Sequence, residues 1–177
     1  RRDEFNGSRH PLIFTPGDNE WTDCHQGGIP DSLERLAKVR EVFFQSENSL
    51  GQRTIPLIRQ SSDSRFASYR ENARWTQGGV VFVTLHVVGS NNNRARTPEM
   101  DVEFAERNAA NIEWMRQAFQ YAKQSGSKAI MILTQANPAF ESVWPTRRRG
   151  SLGFAPPNTN RPSGFTDFVG ALTREVL

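Results

Sequence analysis

Three short apolar runs stand out in the hydrophobic pattern of the chain, at residues 11–15, 80–88 and 128–134. Each is followed closely by Gly, Pro or Asn, and the second is apolar almost throughout, which is typical of strands covered on both faces. Between the second and third runs, apolar side chains recur at helical spacing over residues 101–124. This order predicts a βαβ unit with parallel strands and a right-handed crossover. The pattern therefore predicts an α/β fold, with a mixed, partly parallel β-sheet core flanked by helices.

Further elements follow from the same pattern. Helical spacing predicts a helix over residues 32–45 and another over 165–172. Gly126 lies just past the helix of the βαβ unit, where a left-handed residue commonly ends a helix. Residues 46–79 are rich in Ser, Gln, Arg and Asn. They predict a long excursion with little regular structure, which is either the rim of a pocket or a surface insertion.

Composition places the chain among globular proteins, because 36% of its 177 residues are hydrophobic and 23% are charged. The length suits one α/β domain, residues 1–177. No apolar stretch reaches the length of about 18 residues that a membrane-spanning helix needs, and the N-terminus does not resemble a signal peptide. The single cysteine, Cys24, allows no internal disulfide and favours a reducing compartment such as the cytoplasm.

Charge gives little reason to expect a nucleic-acid partner. The formal net charge is only +3, and the pI near 9.5 follows from that small excess. The Arg147–Arg149 run could contact phosphate, but three adjacent arginines in a segment rich in Gly and Pro are usually a solvated loop.

Polar residues follow each of the three predicted strands, at 16–25, 91–93 and 135–137. Parallel strands end at the same edge of a sheet, which is where open α/β sheets bind ligands. We therefore expect a site at this edge, although each loop alone could be ordinary turn chemistry. His86 lies within the central strand and is either a core residue or a ligand. Cys24 and His25 could form a thiol–imidazole pair, but neighbours in sequence rarely align for catalysis.

The motifs resemble a known family. The sequence Pro-Gly-Asp-Asn-Glu at 16–20 resembles the Pro-Gly-Asn-His-Glu block of the calcineurin-like metallophosphoesterases. Residues 79–85, 111–115 and 130–138 are similar to later blocks of that family, in the same order. Residues 17–24 and 86–93 more narrowly resemble a divergent bacterial branch. The resemblance covers most of residues 11–138, and it depends on the order of short motifs.

The resemblance implies a metallophosphoesterase-like αββα sandwich that hydrolyses a small-molecule phosphate ester with divalent metal ions, Mn, Fe or Zn. It implies that Asp18 and Gln135 are metal ligands, in place of an asparagine and a histidine of the family. Asn19 stands where the family has a catalytic histidine. The residues expected to bind substrate are Asn92, Asp23 and His25.

Several departures from the family pattern leave a second hypothesis open. Asn19 cannot donate a proton as histidine does, and the Gln135 amide is a weak ligand for a transition metal. The family's Asp-x-His and Gly-Asp-x-x-Asp motifs do not occur before the block at 16–20, and its Gly-His-x-His motif does not occur after the last predicted strand. The chain is therefore expected to be a central segment, incomplete at both ends. The alternative to an enzyme is a non-catalytic remnant of the same fold that binds phosphate or another polar ligand.

Overall fold

The structure, a computed structural model, describes residues 2–24, 31–138 and 162–177. It is a mixed α/β arrangement in which helices flank a four-stranded, partly parallel sheet, so the predicted fold class is confirmed. The α-helical segments of this described part are α1 (Arg2–Asn6), α2 (Ser32–Phe43), the short turn α3 (Gly89–Asn92), α4 (Pro98–Gln124) and α5 (Thr166–Val176). The strands, in sheet order, are β1 (Ile58–Arg59), β2 (Ala73–Gln77), β3 (Val80–Thr84) and β4 (Ala129–Leu133).

The predicted βαβ unit is present. β3 and β4 pair in parallel over their whole length, and α4 connects them. Gly126 has the left-handed φ of +60° expected after α4. β3 ends at Thr84, earlier than the predicted 88, but the chain from 85 to 88 stays buried and continues toward the same edge of the sheet.

β2 and β3 form a β-hairpin, so the prediction of little regular structure over residues 46–79 is wrong at Ala73–Gln77, although most of the remaining segment is irregular. β2 pairs antiparallel with β3, with Gln77 opposite Val80. Gly78 and Gly79 form the two-residue turn with φ of +59° and +79°, the left-handed conformation that such tight hairpins require.

The predicted strand at 11–15 is also wrong. Leu12 forms only an isolated antiparallel bridge with Leu50, and no other residue of the run joins a strand. The run is apolar because it is packed: the Phe14 ring lies 4.8 Å from Phe43 and 5.7 Å from Phe44, measured between centroids. Such burial explains the hydrophobic pattern without a place in the sheet.

The main core lies between the sheet and the long helix. Inward side chains of β3 pack against α4 and against one face of α5, with Phe168 fully buried. Thr97 caps α4 by accepting a hydrogen bond from the backbone N–H of Met100, and Pro98 begins the helix. None of the described helices is both long and apolar enough to cross a membrane.

Candidate functional site

The Asp18 turn is held by its own short-range hydrogen bonds. Residues Asp18–Glu20 form one 3₁₀ turn, and the Glu20 carboxylate accepts a hydrogen bond from the backbone N–H of Gly17 at 2.8 Å. Trp21 follows immediately and is fully buried against Leu36 of α2 and Val88. Because Trp21 is anchored in this way, the turn is fixed on the sheet edge beyond β3.

The three polar loops meet at this edge. The parallel pair β3 and β4 brings two of them there, as predicted, whereas the Asp18 turn arrives without the strand at 11–15 that the prediction required. The Gln135 side-chain amide donates to an Asp18 carboxylate oxygen at 3.2 Å, and its carbonyl oxygen accepts from the backbone N–H of Gly89 at 2.8 Å. The Ser90 hydroxyl lies 3.5 Å from the other Asp18 oxygen. Asp18 is half-buried, whereas Gln135 is exposed. One carboxylate is therefore shared by the loops that follow β3 and β4.

Two glycines allow the side chains to approach so closely. A Cβ atom on Gly89 would lie 2.1 Å from an Asp18 carboxylate oxygen, and one on Gly17 would lie 2.8 Å from Cγ of Gln135. Neither glycine has a left-handed φ, so the requirement is for space rather than for backbone freedom. The sequence signal was present, since each glycine directly precedes a polar residue after an apolar run.

The loop after β3 has an uncommon backbone. Ser90, Asn91, Asn92 and Asn93 have φ values of 52°, 57°, 55° and 66°, which makes a left-handed turn of four consecutive residues that are not glycine. A left-handed residue costs about 1–2 kcal/mol, less for asparagine, because Cβ crowds the following carbonyl oxygen. Conformations of this kind persist only where neighbouring groups hold them in place, and they are concentrated at functional sites.

The side chains of Asn91 and Asn92 in this turn form hydrogen bonds within the protein. Asn92 is fully buried; its side-chain oxygen accepts from Arg107 at 2.7 Å and its amide donates to the Gly164 carbonyl oxygen at 3.1 Å. Asn91 binds the same segment by accepting from the Gly164 N–H at 2.9 Å. The substrate-binding role predicted for Asn92 therefore has no exposed atom to support it, and the geometry favours a structural role.

Asp23, another residue predicted to bind substrate, joins two loops. Its carboxylate accepts short hydrogen bonds from the Ser90 hydroxyl and from the guanidinium of Arg96, with which it forms an ion pair. Burial acts to raise the pKa of Asp23, but the hydrogen bonds from Ser90 and Arg96 lower it by more. Asp23 thus holds the Asp18 turn against the left-handed turn. His25, the third predicted substrate-binding residue, lies outside the described residues.

A buried charged cluster lies beneath the site, and no sequence motif predicted it. The Glu71 carboxylate accepts from Nε and Nη2 of Arg40 at 3.0 and 2.6 Å, and it lies 2.7 Å from Nδ1 of His86. Burial acts to raise the pKa of Glu71, but the charge of Arg40 and the hydrogen bond to His86 hold it well below its usual range. Burial lowers the pKa of His86, so the imidazole is neutral at pH 7.

The buried cluster is connected to both loops of the site. Arg107 donates to the His86 carbonyl oxygen at 2.7 Å and to Asn92, and its guanidinium lies 5.2 Å from the centre of the Trp21 ring. The His86 and Trp21 rings are 5.4 Å apart. Nε2 of His86 is buried and has no hydrogen-bond partner among the described residues. His86 is therefore a core residue whose contacts support the Asp18 turn from below.

The described residues do not make a complete metal site. Among residues 2–24, 31–138 and 162–177, no group of three His, Cys, Asp or Glu side chains could hold a metal ion. Asp23 is engaged with Arg96, and the Gln135 amide turns its nitrogen rather than its oxygen toward Asp18. At this site, the described residues therefore provide one carboxylate, that of Asp18, as a ligand for a hard or borderline cation.

The chain matches no family model and no curated protein, and its structure matches no solved structure. Inference about function therefore depends on the residues and geometry of the site.

Proposed function

We propose that this chain carries part of the active site of a metal-dependent phosphoesterase of the calcineurin-like type, in which Asp18 binds a divalent cation, Mn, Fe or Zn. The observation that supports this most is the position of the Asp18 carboxylate. It is half-buried beyond the carboxyl ends of the parallel strands β3 and β4, and it faces a strained left-handed turn. Strain at such an edge favours a functional site, and the order of motifs favours the phosphoesterase class.

The neighbouring residues would have distinct roles. The Asn19 side chain is exposed beside Asp18 and can donate a hydrogen bond to a phosphoryl oxygen, although it cannot supply a proton. Gln135 is better placed to orient the Asp18 carboxylate than to bind metal, because its oxygen already accepts from Gly89. Divalent cations at such a site would neutralise phosphoryl charge. Their remaining ligands would have to come from outside the described residues.

Metal binding and hydrolysis test the proposal together. The wild-type protein should bind Mn²⁺ or Zn²⁺ and hydrolyse an aryl phosphate such as 4-nitrophenyl phosphate. Asp18→Asn, which removes the charge but keeps the shape, should weaken metal binding and activity by about tenfold or more, the loss typical of a disrupted ligand shell. Asp3→Asn on the exposed face of α1 is the matched control and should change neither. Metal binding by Asp18→Asn equal to that of the wild type would contradict the role of Asp18.

A non-catalytic protein of the same fold is the second candidate. It is favoured by the lack of a three-residue ligand group in the described part of the chain and by the amide at position 135. Such a protein would bind phosphate or a polar ligand without turnover. It predicts that added metal produces no hydrolysis by the wild type, while phosphate still binds and Asn19→Ala weakens that binding.

A further inference from the structure

A groove beside the Asp18 turn is lined, apart from Asn19, by residues that the proposed function does not use. It lies between α1, α2 and the chain from Phe14 to Cys24, and it has a volume of about 260 Å³. Its floor is aromatic: Phe5 packs 5.5 Å from both Phe14 and Phe43, and all three rings are half-buried. An apolar floor that stays partly open is typical of a small-molecule site.

One face of α2 forms the wall of this groove. Arg35, Val39 and Val42 are spaced by four and three residues and so lie on the same side of the helix. Lys38 also lines the groove, and its ion pair with Glu41 is solvent-exposed on both sides, with 55% and 66% of the two side chains accessible. Such an exposed pair is weak and leaves the lysine able to attract another anion. This wall is thus apolar at Val39 and Val42 and cationic at Arg35 and Lys38.

The groove borders the turn that carries Asp18. Asn19 and Glu20 line its end, and they are the two residues that follow Asp18 in the 3₁₀ turn. The Glu20 carboxylate is engaged by the backbone N–H of Gly17. The exposed Asn19 amide is left as the polar group between the groove and the Asp18 carboxylate.

We propose that this groove binds the apolar body of the ligand, so that the substrate class is a phosphate monoester with an aromatic or compact aliphatic group. The apolar group would pack on Phe14 and Phe43, and the phosphate would lie near Asn19 within reach of the positive charge of Arg35. The position given to the phosphate rests on the proposed function, whereas the affinity of the groove for an apolar anion does not.

Titration calorimetry with two phosphonates that cannot be hydrolysed tests the groove. With or without added MnCl₂, 1-naphthylmethylphosphonate should bind about tenfold or more tightly than methylphosphonate, because only the former buries apolar surface. Arg35→Glu should weaken binding of the naphthyl compound about fivefold or more, while Lys123→Glu, an exposed cation of α4, should not. Arg35 is exposed, so its substitution leaves the packing of α2 intact. Equal affinity for both phosphonates, or no effect of Arg35→Glu, would overturn the proposal.

The only cysteine reports where the ligand binds. Cys24 is half-buried and lines the groove, so bound 1-naphthylmethylphosphonate should slow its alkylation by N-ethylmaleimide about fivefold or more, while methylphosphonate should not. Alkylation of Cys24 should in turn weaken binding of the naphthyl compound. If the phosphonate saturates the protein and neither effect is seen, it binds elsewhere and the groove is not its site.

These outcomes separate the groove from the enzyme. Tight naphthyl binding without metal-dependent hydrolysis would support the groove and contradict the phosphoesterase. Hydrolysis without any preference for an apolar group would support the phosphoesterase and contradict the groove.

Discussion

The close approach of Asp18 to Gly89 yields the sharpest structural prediction. In Gly89→Ala the new Cβ would lie 2.1 Å from an Asp18 oxygen and 2.9 Å from its Cγ, below the 3.0 Å that real Cβ contacts respect. The Asp18 carboxylate must therefore rotate away and lose its hydrogen bonds from Gln135 and Ser90. These bonds are long and partly exposed, so we expect a loss of about 1–2 kcal/mol in the free energy of unfolding.

Urea denaturation followed by tryptophan fluorescence measures this loss, which corresponds to a fall of about 2–8 °C in Tm for a chain of this size. In an Asp18→Ala background the steric conflict is gone, so Gly89→Ala should cost less than about 0.5 kcal/mol. Gly170→Ala is the control: this glycine lies inside α5 with no atom closer than 3.7 Å, and the change should stabilise the protein by about 0.5–1 kcal/mol. An equal cost of Gly89→Ala in both backgrounds would refute the contact.

Three further predictions concern the groups that hold the site. The unfolding free energy should fall as pH is lowered from 7 to 5, because burial depresses the pKa of His86 and the unfolded chain then binds a proton that the folded chain excludes. The stability that neutral His86 allows is fully present above pH 6.5 and is lost as pH falls below that value. A pH titration of the unfolding free energy should therefore show a smaller slope for His86→Gln. Ser90→Ala should lower the unfolding free energy by about 1–2 kcal/mol, because the hydrogen bond to Asp23 is lost. Ser90→Gly should cost about 1 kcal/mol less, because glycine adopts the left-handed φ without strain. Equal unfolding free energies for the two variants would show that the turn is not strained. Arg40→Met should cost about 3–5 kcal/mol, because it leaves the buried Glu71 charge without its cationic partner and with only the His86 ring beside it. Denaturation of the double variant with Glu71→Leu should show a much smaller loss than the sum of the two.

Hydrophobic pattern was sufficient for the βαβ unit, because two long apolar runs and a helical stripe have few other arrangements. It was misleading for residues 11–15, since a buried extended segment and a sheet strand present the same short apolar run. β2 was missed because polar residues interrupt it, although Gly78 and Gly79 before an apolar run were a usable hairpin signal. The local hydrophobic pattern thus identifies long, uniformly apolar elements. It fails where pairing with a neighbouring strand determines whether a segment is a β-strand.

The meeting of the loops after β3 and β4 at one edge of the sheet was predicted from topology, whereas the position of Asp18 at that edge was expected from a strand at 11–15 that is not present. What could not be predicted was how the side chains at this edge are used. The partner of Asn92 is Arg107, 15 residues away on α4, and the partner of Asp23 is Arg96. Such pairs are set by the tertiary fold, and neither a buried arginine nor a left-handed asparagine has a local pattern of its own.

The central claim is that the Asp18 carboxylate binds a divalent cation, and anomalous diffraction from crystals of the protein soaked in Zn²⁺ tests it most directly. The account predicts an anomalous peak about 2.0–2.2 Å from an Asp18 carboxylate oxygen, and no such peak there in Asp18→Asn crystals. Zinc bound elsewhere in the wild type, with the Asp18 carboxylate still hydrogen-bonded to Gln135, Ser90 and the backbone N–H of Asn19, would contradict it.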